Sequence, residues 1–212
     1  MYLLYSLLLA FALVAGLPFW LFQAIRHGKY NRGLGERFGR VPGRLVKTPH
    51  QPTIWIHAVS VGEVLAITKL AAQLQKDLPQ YRIVVSTTTD TGQKLAHDKF
   101  GEADVFYFPL DFAFCVKPYL RALNPDLLVI AETEFWPNLL RLARQHGASI
   151  AVVNARISDR SLPGYLRWRG LLTRILQNVN LFRAQTDEDS RRLVDIGAPS
   201  SRVQVSGNLK FD

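Results

Sequence analysis

Between residues 53 and 205, short strand-like runs alternate with helical patterns, and very few folds accept that order. The runs fall at 53–57, 82–87, 104–108, 126–130, 149–153, 181–184 and 202–205, and most are rich in Val, Ile, Leu or aromatic residues. Between them, apolar residues recur at helical spacing near 62–78, 91–99, 112–123, 135–146, 163–178 and 187–196. Parallel strands need crossover helices, so the alternation predicts an α/β fold, a parallel sheet covered by helices on both faces. Roughly 160 residues carry the pattern, enough for one domain with its own core. Neither an internal repeat nor a low-complexity tract interrupts it.

Open α/β sheets place their ligands outside the carboxyl ends of the strands, so the residues after each run are the functional candidates. The first run, Thr53-Ile54-Trp55-Ile56-His57, passes through a small-residue turn to Glu63, which opens a helical pattern of Val64, Leu65, Ile67, Leu70 and Leu74. A carboxylate in the first helical turn is favoured by the helix dipole. Aimed into a crevice, it meets the basic requirement for a general base. The alternative is a charge that only supports the helix start. The second run leaves as Ser86-Thr87-Thr88-Thr89-Asp90-Thr91-Gly92. That hydroxyl-rich loop suits an anion or a sugar, or ordinary N-capping by Thr89 or Asp90.

The fourth run ends in Ala131-Glu132-Thr133-Glu134-Phe135-Trp136-Pro137-Asn138, with proline at a helix start, where it is well tolerated. Glu134 reads as a helix-start charge, whereas Glu132, flush with the strand end, is harder to assign to the surface. Asn154-Ala155-Arg156 and Gly207-Asn208-Leu209-Lys210 repeat the placement of polar residues at strand ends. Together these positions describe one active-site rim.

Residues 1–25 carry no charge and are mostly Leu, Ala, Phe, Val and Tyr. A bilayer span needs about 20 apolar residues, so a single N-terminal membrane helix is expected. A cleaved signal would begin with a basic region and have a shorter apolar core. Gly16 and Pro18 leave a monotopic or re-entrant insertion as the alternative. Positive charges start only afterwards, at Arg26, Lys29, Arg32, Arg37, Arg40, Arg44 and Lys47, in a basic linker read over 26–51. By the positive-inside rule the body, 52–212, is then cytoplasmic.

The net charge is +9, from 26 Lys+Arg against 17 Asp+Glu. A second basic group, Arg156, Arg160, Arg167, Arg169, Arg174 and Arg183, predicts attraction to an anionic membrane surface. Nucleic acid attracts such groups too, but no nucleic-acid motif is present and the anchor argues against that partner. The single cysteine, Cys115, excludes an internal disulfide. The His residues are scattered, without zinc spacing, so no metal is expected. A serine hydrolase using Ser60 and His57 is disfavoured, because the Gly-x-Ser-x-Gly elbow needs glycine at 58, which is Ala58.

In order, Gly35-Glu36-Arg37-Phe38-Gly39, the stretch from His57 to Glu63, Thr88 to Gly92, Glu132 to Asn138, Asn154-Ala155-Arg156 and Gly207 to Asp212 resemble the motifs of the Kdo transferase family. These enzymes add 3-deoxy-D-manno-oct-2-ulosonic acid to lipid A precursors in Gram-negative bacteria, and the resemblance covers essentially the whole chain. It implies the GT-B architecture, two Rossmann-like domains facing across a cleft, with 52–212 as the N-terminal, acceptor-side domain. It implies inverting, metal-independent glycosyl transfer without a cofactor, from CMP-Kdo as donor to lipid IVA as acceptor, at the bacterial inner membrane. By the same resemblance Glu63 is the catalytic base, and Glu132 and Lys210 are transition-state-stabilising positions. Ser60, Gly62, Thr91, Gly92 and Arg156 are the acceptor-binding candidates. Family members are longer, and their CMP-binding loops lie mainly in the half beyond residue 212. A truncated, catalytically inactive acceptor-binding module attached to the membrane is therefore the alternative.

Overall fold

The computed structural model describes residues 1–27, 32–46 and 51–209. Helix α1 (Tyr2–His27) and the single turn α2 (Leu34–Arg37) precede the first strand, β1 (Thr53–His57). Strand and helix then alternate as α3 (Val61–Asp77), β2 (Arg82–Thr87), α4 (Asp90–Phe100), β3 (Val105–Tyr107), α5 (Ala113–Leu123), β4 (Leu127–Ala131) and α6 (Pro137–Gln145). The series closes with β5 (Ser149–Ala155), α7 (Leu162–Arg167), α8 (Arg169–Leu176), β6 (Leu181–Ala184), α9 (Asp187–Asp195) and β7 (Val203–Val205).

All seven strands are parallel, in the order β3-β2-β1-β4-β5-β6-β7. The chain steps outward from β1 to β3, returns through α5, lays β4 on the other side of β1, and steps outward again to β7. The order reverses between β1 and β4, the topological switch point where such sheets open a crevice.

Side chains alternate across the strands and fill two cores. Ile54 and Ile56 join Val64, Ile67, Val85, Ala96 and Val129 under α3 and α4. Trp55 joins Phe106, Phe108, Tyr119, Leu128, Ile130, Leu139, Ile150 and Phe182 on the opposite face. Each large side chain removed from water here contributes about 1.5–3 kcal/mol. The helix expected over 163–178 is two helices, because Trp168 leaves helical geometry (φ −104°, ψ 19°) and caps both.

The stretch from Gly33 to Val46 packs onto the sheet beside β2 and β3. Leu45 is fully buried, Glu36 accepts the Tyr107 backbone N–H at 2.7 Å, and Arg44 donates to the Val105 carbonyl at 2.9 Å. Gly39, at φ 91°, lies so close to α5 that a Cβ would stand 2.8 Å from the Cys115 Cα. Helix α1 touches the domain through its first turns. Ser6 Oγ accepts from Asn138 Nδ2 at 3.1 Å, and the Arg141 guanidinium sits 4.5 Å from the Tyr2 ring centre. Leu3, Leu4, Leu7, Leu8, Phe11 and Val14 of α1 remain exposed. Among the described residues no helix is long and apolar enough to cross a membrane, so the structure leaves the expected spanning anchor without support.

Candidate functional site

Glu63 sits in the first turn of α3, at the carboxyl end of β1, and is 7% exposed. Its Oε2 accepts the Val59 backbone N–H at 2.7 Å and its Oε1 accepts the Ser60 hydroxyl at 2.9 Å. Ser60 is the N-cap of α3 but its side chain caps no helix N–H; its hydroxyl and the Val59 N–H together clamp the carboxylate instead. The carboxylate is thereby fixed at the mouth of the crevice.

The loop after β2 is laced to the loop after β1. The Val59 carbonyl accepts from the backbone N–H of Thr88 and of Thr89, each at 3.2 Å, and from Thr89 Oγ1 at 3.2 Å. Thr89 also caps α4, accepting from Gly92 N at 3.0 Å. Gly92 permits this closeness, since a Cβ there would stand 2.8 Å from Thr89 Oγ1 and 3.2 Å from the Val59 carbonyl oxygen. Gly62 is half-buried beside Glu63, and Thr91 is exposed on the first turn of α4.

Across the switch point, Glu132 follows β4 at φ 58°. A left-handed conformation at a residue other than Gly, Asn or Asp is uncommon, and such strain clusters at functional sites. Asn154, at the end of neighbouring β5, has φ 56°. The two strand ends are tied together: Glu132 N donates to the Val153 carbonyl at 2.8 Å, and Thr133 Oγ1 donates to the Arg156 carbonyl at 3.2 Å. Arg156 itself is exposed. Lys210 lies outside the described residues.

Glu134 belongs to the same cluster. Burial, reinforced by the charges of Glu63 and Glu132, raises its pKa to about 7. The charges of Glu63 and Glu132 thus stand close enough to oppose the ionisation of Glu134. Among the described residues, no three His, Cys, Asp or Glu side chains are placed to hold a metal ion.

Three residues at this edge are named from the sequence but not chosen there as site residues. His57 is fully buried, stacked on Phe108 with ring centres 4.0 Å apart. Its Nδ1 lies 2.9 Å from Ser86 Oγ, which also accepts from Trp55 Nε1 at 2.8 Å. Burial pushes its pKa down to about 3, so the imidazole is neutral. Ser60 donates to Glu63 while His57 faces Ser86, an arrangement that lacks the nucleophile–base contact a hydrolase needs. Arg37 donates to the Thr88 carbonyl at 2.6 Å and lies over the Tyr107 ring, and burial lowers its pKa. Asn154, read only as part of a tripeptide, is 1% exposed. A polar residue at the end of an apolar run was the available signal for His57 and Asn154.

A separate cavity of about 490 Å³ lies at the amino end of the sheet, lined by Thr68, Ala71, Arg82, Lys99 and Asp104. There Arg82 pairs with Asp104 at 2.6 Å, and the carboxylate cluster is at the other end of the strands.

Solved structures with this fold include UDP-N-acetylglucosamine 2-epimerases. That of Neisseria meningitidis, bound to UDP-GlcNAc, matches with a TM-score of 0.53 at 13% identity over 74% of this chain and 47% of that one. That of Rickettsia bellii matches with a TM-score of 0.52 at 15% identity over 76% and 46%. These likenesses concern the fold alone. Curated relatives include the 3-deoxy-D-manno-octulosonic acid transferase of Chlamydophila psittaci, 34% identical over 98% of this chain and 48% of that protein. The protein of the same name from Haemophilus influenzae is 33% identical over 89% and 44%. A bifunctional glycosyltransferase/methyltransferase of Fusobacterium nucleatum is 39% identical over 74% of this chain and 25% of that protein. The chain spans about half the length of the two transferases. The sequence model of 3-deoxy-D-manno-octulosonic-acid transferase (kdotransferase) matches residues 32–212, and the chain belongs to that family.

Proposed function

We propose that this chain is the acceptor side of a glycosyltransferase that moves Kdo from CMP-Kdo to lipid IVA in lipopolysaccharide synthesis, with inversion and without a metal. A second Rossmann-like domain, facing this one in a GT-B arrangement, would carry most of the donor site. One observation carries the reading: Glu63 and Glu132 occupy the ends of β1 and β4, the two strands that flank the switch point.

In this reading an acceptor sugar hydroxyl approaches Glu63. The hydroxyl oxygen forms the new glycosidic bond while its proton passes to the Glu63 carboxylate. The bond from the anomeric carbon to the CMP phosphate breaks, and CMP leaves with the electron pair. A carboxylate is a weak base toward a hydroxyl, so proton removal must accompany attack. Positive charge developing at the anomeric carbon is stabilised by fixed negative charge near it, the part given to Glu132. Lys210 offsets negative charge on the donor carboxylate or the departing phosphate. Ser60 orients Glu63, while Gly62, Thr91, Gly92 and Arg156 border the acceptor. The chain acts at the cytoplasmic face of the bacterial inner membrane, held there by α1 and by its basic residues.

Glu63→Gln in the full-length protein tests the base. Transfer of labelled Kdo should fall by about 10²–10⁴-fold, with folding near normal because a first-turn charge contributes under about 1 kcal/mol. Activity within a few-fold of the parent ends the assignment. One observation favours a second reading, a truncated binding module without turnover: the bonds from Val59 and Ser60 hold the Glu63 carboxylate to the start of its own helix. Donor hydrolysis or Kdo transfer by the 212-residue chain itself decides against that reading.

A further inference from the structure

Asn154 is nine-tenths buried and more, yet its side chain is only half used. Its Oδ1 accepts the Leu209 backbone N–H at 3.1 Å, and its backbone carbonyl accepts from Gln185 Nε2 at 3.0 Å. Its Nδ2 is buried and has no hydrogen-bond partner among the described residues. An amide's oxygen and nitrogen are easily exchanged in assignment, but not here. Only the oxygen can accept from Leu209 N–H, so the NH₂ group must face the other way.

The surroundings suit an anion. Asn154 holds the left-handed conformation beside Glu132, which shares it. Two residues on, the Arg156 guanidinium is exposed at the same strand end and has no ion-pair partner among the described residues. A buried neutral donor left without a partner at a strand end, two residues before an exposed guanidinium, offers the kinds of contact a carboxylate or phosphate oxygen takes. Glu132 opposes an anion at this edge, and Arg156 offsets it.

We infer that Asn154 is a ligand-binding residue: its Nδ2 donates to an anionic oxygen of the bound substrate, a sugar carboxylate or a phosphate, while its Oδ1 fixes the turn from Gly207 to Leu209. The inference rests on the acceptor-side reading of this rim and adds a donor that reading did not contain.

The test uses the 212-residue chain in detergent micelles and two probes, free Kdo for the carboxylate and inorganic phosphate for the phosphate. The readouts are probe affinity and the side-chain NH₂ resonances of Asn154. One probe should shift those resonances, and which one does so identifies the source of the anion. Asn154→Asp keeps the oxygen that accepts from Leu209 and tolerates the left-handed backbone, but replaces the donor with a repelling oxygen. It should bind that probe at least about tenfold more weakly, measured at a temperature where thermal unfolding shows the variant still folded, since a buried carboxylate beside Glu132 lowers stability. Arg156→Ser should weaken binding as well. The inference is overturned if neither probe binds, if binding leaves the NH₂ resonances in place, or if Asn154→Asp keeps affinity within about twofold. Lys99→Ser, in the cavity at the opposite end of the strands, should bind the probe like the parent. The base assignment is read from turnover of Glu63→Gln and the subsite from probe binding, so their failures give different results.

Discussion

A carboxyl group placed among other carboxylates makes stability depend on pH, and Glu134 is the clearest case. Its folded pKa of about 7 lies above its ordinary value of 4.5. Between those values the folded chain binds more protons than the unfolded one, so stability falls as pH rises through that window. Replacing the group with a neutral amide removes the penalty. Glu134→Gln should therefore stabilise the protein at pH 8 and do little at pH 4. The gain should be about 1–2 kcal/mol after discounting for partial exposure, read by denaturant unfolding at both pH values. Equal effects at the two pH values would remove the carboxylate cluster as the cause. The sequence showed Glu134 as a helix-start charge: Glu132 stands two residues before it, but Glu63 arrives from a separate strand end. Arg37 reads in the sequence only as a linker charge and a motif member for a similar reason: its bond to the Thr88 carbonyl spans 51 residues, and no local pattern announces such a contact.

At the scale of elements the sequence was more explicit. Thr53–His57, Arg82–Thr87 and Leu181–Ala184 are strands with the bounds that the apolar runs suggested. Buried parallel strands must be continuously apolar, and that signal is local. Less legible was the far end of β5, which runs on to Ala155 and shifts register between Val152 and Ala155. An irregularity of that kind answers to neighbouring strands rather than to its own residues. The junction of α4 with the β1 loop gives the element-scale prediction. Gly92→Ala forces a Cβ against the Thr89 hydroxyl that caps the helix, and it should cost about 1–2 kcal/mol. Thr89→Ala alone should cost about 1 kcal/mol. Because the second change removes the atom that clashes, the double variant should be less destabilised than the sum of the two. Strict additivity in thermal or denaturant unfolding would show that the contact is not the cause.

For the whole molecule, the open question in solution is what α1 does. Its exposed leucines and its contacts from Tyr2 and Ser6 to α6 describe a helix partly seated on the domain. If it holds the protein at a membrane, deleting residues 1–25 should move the chain from the membrane fraction to the supernatant while the sheet still unfolds cooperatively. A full chain already in the supernatant without detergent would end that role. The Val59 carbonyl bears on how the molecule works once in place. With three donors converging on that one oxygen, the loops that follow β1 and β2 form a single stiff ledge. Its ordering entropy is spent during folding, so a ligand arriving there would find little left to organise. On the two-domain reading proposed above, any closing motion would then belong to the facing domain, with this one serving as the fixed jaw.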